Sequence, residues 1–298
     1  MRDIHRVCDS PDTEYGTLPE GSPTRILEDS MQSEWIHAVI AFAMTVPAIT
    51  ASAKTKPTIV LVHGAFQDGE NTWARVRPQL ETNGYKVIVV TLPGRDNDGS
   101  DPKTLTTVQF RDTVLKAIEG EKLPVVLVGH SFGGITISNV AEASPDKIKA
   151  LVYLSAYLPQ DGQSLMDLAK TDRDSHLGKP GNLVLAPDYS TASINPDAKA
   201  DVFANDANDE DRSVIVNSLI SEAAAPQGMP VKLTQANWGR VPKFYLETTQ
   251  DHCVSPYLQE QMISHATLVK VTKIDAGHAS YITKPHAVVE GIEYAATH

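Results

Sequence analysis

From residue 58 onward the chain alternates two kinds of apolar pattern. Short, almost continuously apolar runs lie at 58–63, 86–91, 125–128, 149–155, 242–248 and 268–274. A run that is apolar at consecutive positions is buried on both faces, which is how the strands of a parallel sheet read. Between the runs the apolar residues recur at helical spacing. One such stretch, 72–83, closes on Gly84; another, 104–119, carries Leu105, Val108, Val114, Leu115 and Ile118 and ends at Gly120. Further helices are predicted over 132–143 and 285–296. Strand and helix in regular alternation predict an α/β fold, a mostly parallel sheet with helices on both faces.

The rhythm breaks over residues 159–240, which are rich in Asp, Ala, Ser and Pro. An insertion between two strands of such a sheet reads as a cap over the site. The apolar and aromatic residues expected to line a pocket beneath it are Met166, Leu168, Tyr189, Phe203 and Trp238. The acidic cluster from Asp201 to Asp211 reads as solvated surface, with Asp209 capping a helix that carries Val214, Ile215, Leu219 and Ile220. Its spacing does not match a calcium loop. The core is therefore expected over 54–158 and 241–298, with the cap at 159–240.

Residues 1–53 have a different character. Residues 1–34 hold three basic and eight acidic residues among scattered Pro and Gly, and so predict a disordered lead. An apolar stretch from Trp35 to Ile49 then runs into Thr50-Ala51-Ser52-Ala53. That pattern predicts a signal peptide cleaved after Ala53 and a secreted or periplasmic protein with no stable membrane insertion after processing. A cytoplasmic location is the alternative, because residues 31–34 carry no Lys or Arg. The net charge of −11 argues against a nucleic-acid surface. Two cysteines, Cys8 and Cys253, make no disulfide framework, and no Cys/His spacing resembles a zinc motif, so no metal is expected. The oligomeric state is not specified by the sequence; a homodimer is compatible with it.

The chemistry centres on Gly129-His130-Ser131-Phe132-Gly133. A buried-strand run ends in this turn and a helix follows, which places a serine at the apex of a sharp strand-to-helix turn. Gly129 and Gly133 keep the strained backbone clear, and the helix N-terminus favours negative charge beside the serine. Two further polar residues leave strand ends downstream: Asp251 after 242–248 and His278 after 268–274. Sites in open α/β sheets lie outside the carboxyl ends of strands, so Ser131, Asp251 and His278 should converge as nucleophile, acid and base. Asp161 is the rival acid, and Asp275 reads as a brace within the His278 loop. His252 adjoins Asp251 and should point elsewhere; His130 and His63 read as supporting residues. The backbone N–H groups of Ala65, or its neighbour Phe66, and of Phe132 are the expected oxyanion donors. Phe66 is also a candidate substrate contact.

On His63-Gly64-Ala65-Phe66, the Ser131 turn, the run from Val241 to Asp251 and Gly277-His278, residues 58–298 resemble the α/β-hydrolase superfamily. Within it they are similar to the branch of methyl esterases, bacterial aryl and pyrethroid-type esterases and hydroxynitrile lyases. The resemblance implies a six-stranded core with a small helical cap, no cofactor, and a small-molecule ester as substrate. Lyases of this branch use a lysine after the histidine, where this chain has Ala279, and a hydroxyl-bearing residue where it has Gly64. Both departures favour ester hydrolysis. Lyase chemistry, or a ligand receptor on the same scaffold, are the alternatives.

Overall fold

In the computed structural model, which describes residues 55–95 and 98–298, the six apolar runs become one parallel sheet. The lead and signal segment predicted over 1–53 lie outside the described residues. The first half runs β1 (Ile59–Val62), α1 (Gly69–Trp73), α2 (Arg77–Thr82), β2 (Val87–Val90), α3 (Thr107–Ala117), β3 (Val125–His130), α4 (Gly133–Ala143) and β4 (Ile148–Leu154). The predicted helix over 72–83 is thus two short ones. Pro78 has no N–H to donate back along a continuous helix, so the chain turns before it. The helix within 104–119 starts late because Thr106 caps it, its hydroxyl accepting from the Gln109 N–H while the Gln109 side chain accepts from the Thr106 N–H.

The inserted stretch holds α5 (Leu165–Ala169), β5 (Leu183–Leu185), β6 (Thr191–Ile194), α6 (Lys199–Phe203), α7 (Asp209–Ser218) and β7 (Glu222–Ala223). Here the expected helical cap needs correction. Strands β5, β6 and β7 form a small antiparallel sheet beside the short helices. Asp209 does not cap α7 either. Asn208 does, accepting from the Asp211 N–H, while Asp209, Glu210 and Asp211 put negative charge in the first turn, where the helix dipole favours it.

The chain then closes with β8 (Lys243–Thr248), α8 (Pro256–Ser264), β9 (Lys270–Ile274), α9 (Ser280–Thr283) and α10 (Pro285–Thr297). The large sheet has the order β2-β1-β3-β4-β8-β9, every neighbouring pair parallel. Residues of β1 and β3 are buried throughout, as the continuous apolar runs require. Connections from β1 and β3 leave in opposite directions, to β2 on one side and β4 on the other. A crevice opens between such strands outside their carboxyl ends. Val62 lies beside Gly129, Gly129 beside Tyr153 and Tyr153 beside Tyr245, so the loops after β1, β3 and β8 emerge at one edge. Among the described residues no helix is long and apolar enough to cross a membrane.

Candidate active site

Ser131 sits at the end of β3 with φ of 51°, a left-handed conformation rare for a residue with a side chain. The end of the neighbouring strand β4 holds it there. Its N–H donates to the Leu154 carbonyl at 3.2 Å, and its own carbonyl accepts from the Tyr157 N–H at 3.1 Å. The turn tolerates no side chain behind it: a Cβ on Gly129 would meet the Gly133 carbonyl oxygen at 2.6 Å. A Cβ on Gly64, in the loop after β1, would meet the Ser131 Cβ at 2.7 Å, so the two loops are in close contact. The strain at Ser131 is therefore over-determined by its surroundings.

His278 and Asp251 leave the ends of β9 and β8 and meet in the interior. His278 Nδ1 donates to Asp251 Oδ2 at 2.8 Å, both side chains fully buried. The other carboxylate oxygen, Oδ1, accepts from the Cys253 and Val254 N–H groups at 2.7 and 3.0 Å, and Thr248 Oγ1 donates to Oδ2 at 3.0 Å. A carboxylate with four donors around it is held in one orientation. His278 Nε2 is buried and has no hydrogen-bond partner among the described residues. The rival acids are occupied elsewhere. Asp161 accepts from the Leu233 N–H, Asp275 from Thr249 and Gln250. His252 turns away toward Asp201.

The N–H groups of Ala65 and Phe132 likewise have no partner among the described residues. The Phe66 N–H does: it donates to Glu222 Oε2 at 3.0 Å. Of the two N–H groups weighed in this loop, Ala65 carries the unengaged one. Glu222 comes from β7 and also pairs with Arg95, both side chains buried. Arg95 donates in addition to the Gln67 and Pro93 carbonyls, so one ion pair fastens the loop after β1, the loop after β2 and the inserted segment together. Burial pushes the Glu222 carboxyl up, against the pull of the Arg95 charge. No sequence pattern singled out Arg95 or Glu222.

Two buried histidines brace the same loops. His63 donates from Nδ1 to the Gly64 carbonyl and accepts at Nε2 from the Leu92 N–H at 3.0 Å, an arrangement only the neutral ring can make. His130 packs between His278, whose ring is tilted by 51° to it, and Tyr281, which it meets edge-on, and its Nε2 donates to the His278 carbonyl at 3.1 Å. Burial and the adjacent His278 hold the His130 ring well below the usual histidine range. A neutral His130 with a proton on Nε2 must accept at Nδ1. Gln67 Oε1 lies 3.0 Å from Nδ1, with the Gln67 Nε2 against the Tyr281 hydroxyl; a neutral ring bonded through Nε2 requires that amide turned over, its NH2 toward Nδ1 and its oxygen toward Tyr281.

Burial, then the Arg95 charge, lowers His63 from 6.5 to about 3. The sign of the effect on stability is clear. Below pH 6.5 the unfolded chain takes up a proton that the folded chain refuses until about pH 3. Folding stability should fall as pH drops through that window, by up to about 1.4 kcal/mol per pH unit from this group. Urea unfolding of wild type and His63→Gln at pH 7 and pH 5 checks this. The variant should be less stable at both and lose less between them; equal losses would remove His63 as the source.

The candidate pocket residues divide. A cavity of ≈ 310 Å³ is lined by Phe66, Tyr157, Leu165, Met166, Asp172 and Leu183, among others. Phe203 packs edge-on against both His278 and Phe66, at 5.0 and 6.4 Å between ring centroids. Leu168 is buried and lines a separate hollow with Leu158 and Met262. Tyr189 and Trp238 do not fit the expectation. Tyr189 is 73% exposed in the β5–β6 connection, with φ of 58°. Trp238 is buried against β4, its indole N–H donating to the Tyr153 hydroxyl at 3.0 Å.

A family model described as the alpha/beta hydrolase family matches residues 59–291. Among curated proteins, putative methylesterase 11 of Arabidopsis thaliana is 30% identical over 245 residues, covering 77% of this chain and 61% of that protein. The chain thus spans less than two thirds of that relative. An alpha-hydroxynitrile lyase of the same plant is 26% identical, covering 81% of this chain and 98% of the lyase. Among solved structures, a pyrethroid hydrolase from Sphingobium faniae superposes with a TM-score of 0.70 at 24% identity, covering 82% of this chain and 98% of the other.

Proposed function

The chain belongs to the alpha/beta hydrolase family, and from that premise we propose that it is a carboxylic-ester hydrolase for small to medium esters, lactones included. Ser131 attacks the ester carbonyl while His278 Nε2 takes its proton. Asp251 fixes the proton on Nδ1 and stabilises the imidazolium. The Ala65 and Phe132 N–H groups receive the oxyanion, each worth about 3 kcal/mol to the transition state. The imidazolium then protonates the departing alkoxide, and water releases the acyl group from Ser131 by the reverse route. Carrying the reading is the buried His278 ring, held at Nδ1 by Asp251 at 2.8 Å, with Nε2 unpartnered among the described residues. Several relatives are named as esterases, which supports the same class.

The cavity of ≈ 310 Å³ is not lined by Ser131 or His278 and meets the loop after β1 at Phe66; as a site for one substituent of the ester it stands at the small end of ligand pockets, roughly 300–1,000 Å³, which supports a short acyl or alcohol group. Its apolar wall comes from Phe66, Met166 and Leu183. Lyase chemistry of the kind named for one relative would be helped by a cation at the leaving group. Ala279, next to His278 and buried, offers none. The test is hydrolysis of p-nitrophenyl esters from acetate to palmitate by the full chain, with mandelonitrile cleavage alongside. Turnover is expected to peak among the short esters with no cyanide released. Cyanide release, or saturable binding with no ester turnover, would overturn the proposal.

A further inference from the structure

Outside the Ser131 site, three metal-ligating side chains converge from distant parts of the chain. His176 lies between α5 and β5, Asp201 on α6, and His252 directly after Asp251. His176 Nδ1 is 2.7 Å from Asp201 Oδ2, and His252 Nδ1 is 3.0 Å from Asp201 Oδ1. The two imidazole rings lie face to face, 3.9 Å between centroids with a tilt of 36°. One ligand atom from each residue falls within 4.8 Å of the others. Nothing in the ester mechanism uses these residues.

The backbone around them is already fixed. The His176 N–H donates to the His252 carbonyl at 2.8 Å, and the Ser175 hydroxyl to the Cys253 carbonyl at 2.7 Å. The carboxylate therefore does not gather two mobile side chains; two segments stitched together by their backbones present both rings to it. All three side chains are partly open to solvent, with 26%, 48% and 34% exposure, so an ion can enter without unfolding.

We propose that His176, Asp201 and His252 form a divalent transition-metal site, zinc by its ligand chemistry, that ties the inserted segment to the loop carrying Asp251. Two imidazoles and a carboxylate suit zinc, while calcium and magnesium prefer an all-oxygen shell. Ligand atoms around a tetrahedral zinc stand about 3.4 Å apart; the two imidazole–carboxylate separations are 2.7 and 3.0 Å, and one ligand atom of each residue lies within 4.8 Å of the others, so small side-chain rotations reach that geometry. With the ion bound, each ring is neutral: Nδ1 gives its lone pair to the metal, the ring's single proton sits on Nε2, any second proton passes to solvent, and a fourth position is left for water. The site carries no zinc motif in the sequence because its ligands are spread over residues 176 to 252. Its consequence reaches His278: Asp201 and Phe203 share the short helix α6, and Phe203 packs on that histidine.

The full chain, stripped with EDTA and dialysed against zinc chloride, should retain one zinc per molecule. Its unfolding midpoint should rise by about 5–10 °C at a hundredfold excess over Kd. His176→Gln, Asp201→Asn and His252→Gln should each weaken binding by about a hundredfold or more. His278→Ala should bind zinc like wild type, which separates this site from the catalytic histidine. Cobalt(II) gives a second readout, visible ligand-field absorption that the three variants lose. No saturable binding, or binding unchanged in all three variants, would overturn the proposal whether or not the chain hydrolyses esters.

Discussion

Asp251→Asn should fold like wild type and lose about 10⁴-fold in ester turnover at neutral pH. The loss follows from where the amide must point. At the Oδ1 position the side chain accepts from the Cys253 and Val254 N–H groups, so an asparagine can place only its oxygen there. Its NH2 then faces His278 Nδ1, which becomes an acceptor and drives the proton to Nε2. A ring protonated at Nε2 cannot take the Ser131 proton. Ser131→Ala and His278→Ala should each cost more, about 10⁵–10⁶-fold. The double variant should be no worse than either, because the two groups act as one unit. Steady-state turnover and thermal unfolding of the four variants decide it. Additive losses, or an Asp251→Asn protein with a tenth of normal activity, would remove this triad from the mechanism.

The positions in that prediction were legible because each depends on short-range pattern. Ser131 stands between a continuous apolar strand and a helix. Asp251 and His278 each follow a run whose burial marks it as a strand, and the sheet brings their ends to one edge. The large sheet was legible for the same reason. What escaped depends on partners remote in sequence. Arg95 and Glu222 are 127 residues apart, Gln67 and Tyr281 214, and no spacing announces either pair. Glu222 lies in the polar insertion, outside the strand–helix rhythm that marks the core. Strands β5 to β7 escaped because two to four residues are too few for alternation to stand out from chance. Tyr189 was misread because an aromatic in a cap suggests a pocket, while its left-handed turn holds it toward solvent.

Glu222→Ala should destabilise the fold by about 3–5 kcal/mol, more than most single changes, and the reason lies in what it leaves behind. The Arg95 guanidinium, 1% exposed, would lose its counter-charge, and the Phe66 N–H its acceptor. An uncompensated buried charge costs far more than the pair contributes. The double variant Arg95→Met with Glu222→Leu should therefore recover to within about 2–3 kcal/mol of wild type, since an apolar pair of similar volume removes the burial cost of both charges while the Phe66 N–H stays without an acceptor. Activity should not recover with it. Glu222 holds the Phe66 N–H, and Arg95 the Gln67 carbonyl, in the two residues directly after Ala65. Without them the proposed oxyanion donor loses its placement, and a shift of about 1 Å costs on the order of 10²-fold in rate. Urea unfolding and kcat/KM measured on the single and double variants separate the two roles. A double variant with both stability and turnover restored would show that the ion pair only fills space; restored stability with turnover still low would assign it the placement of the loop.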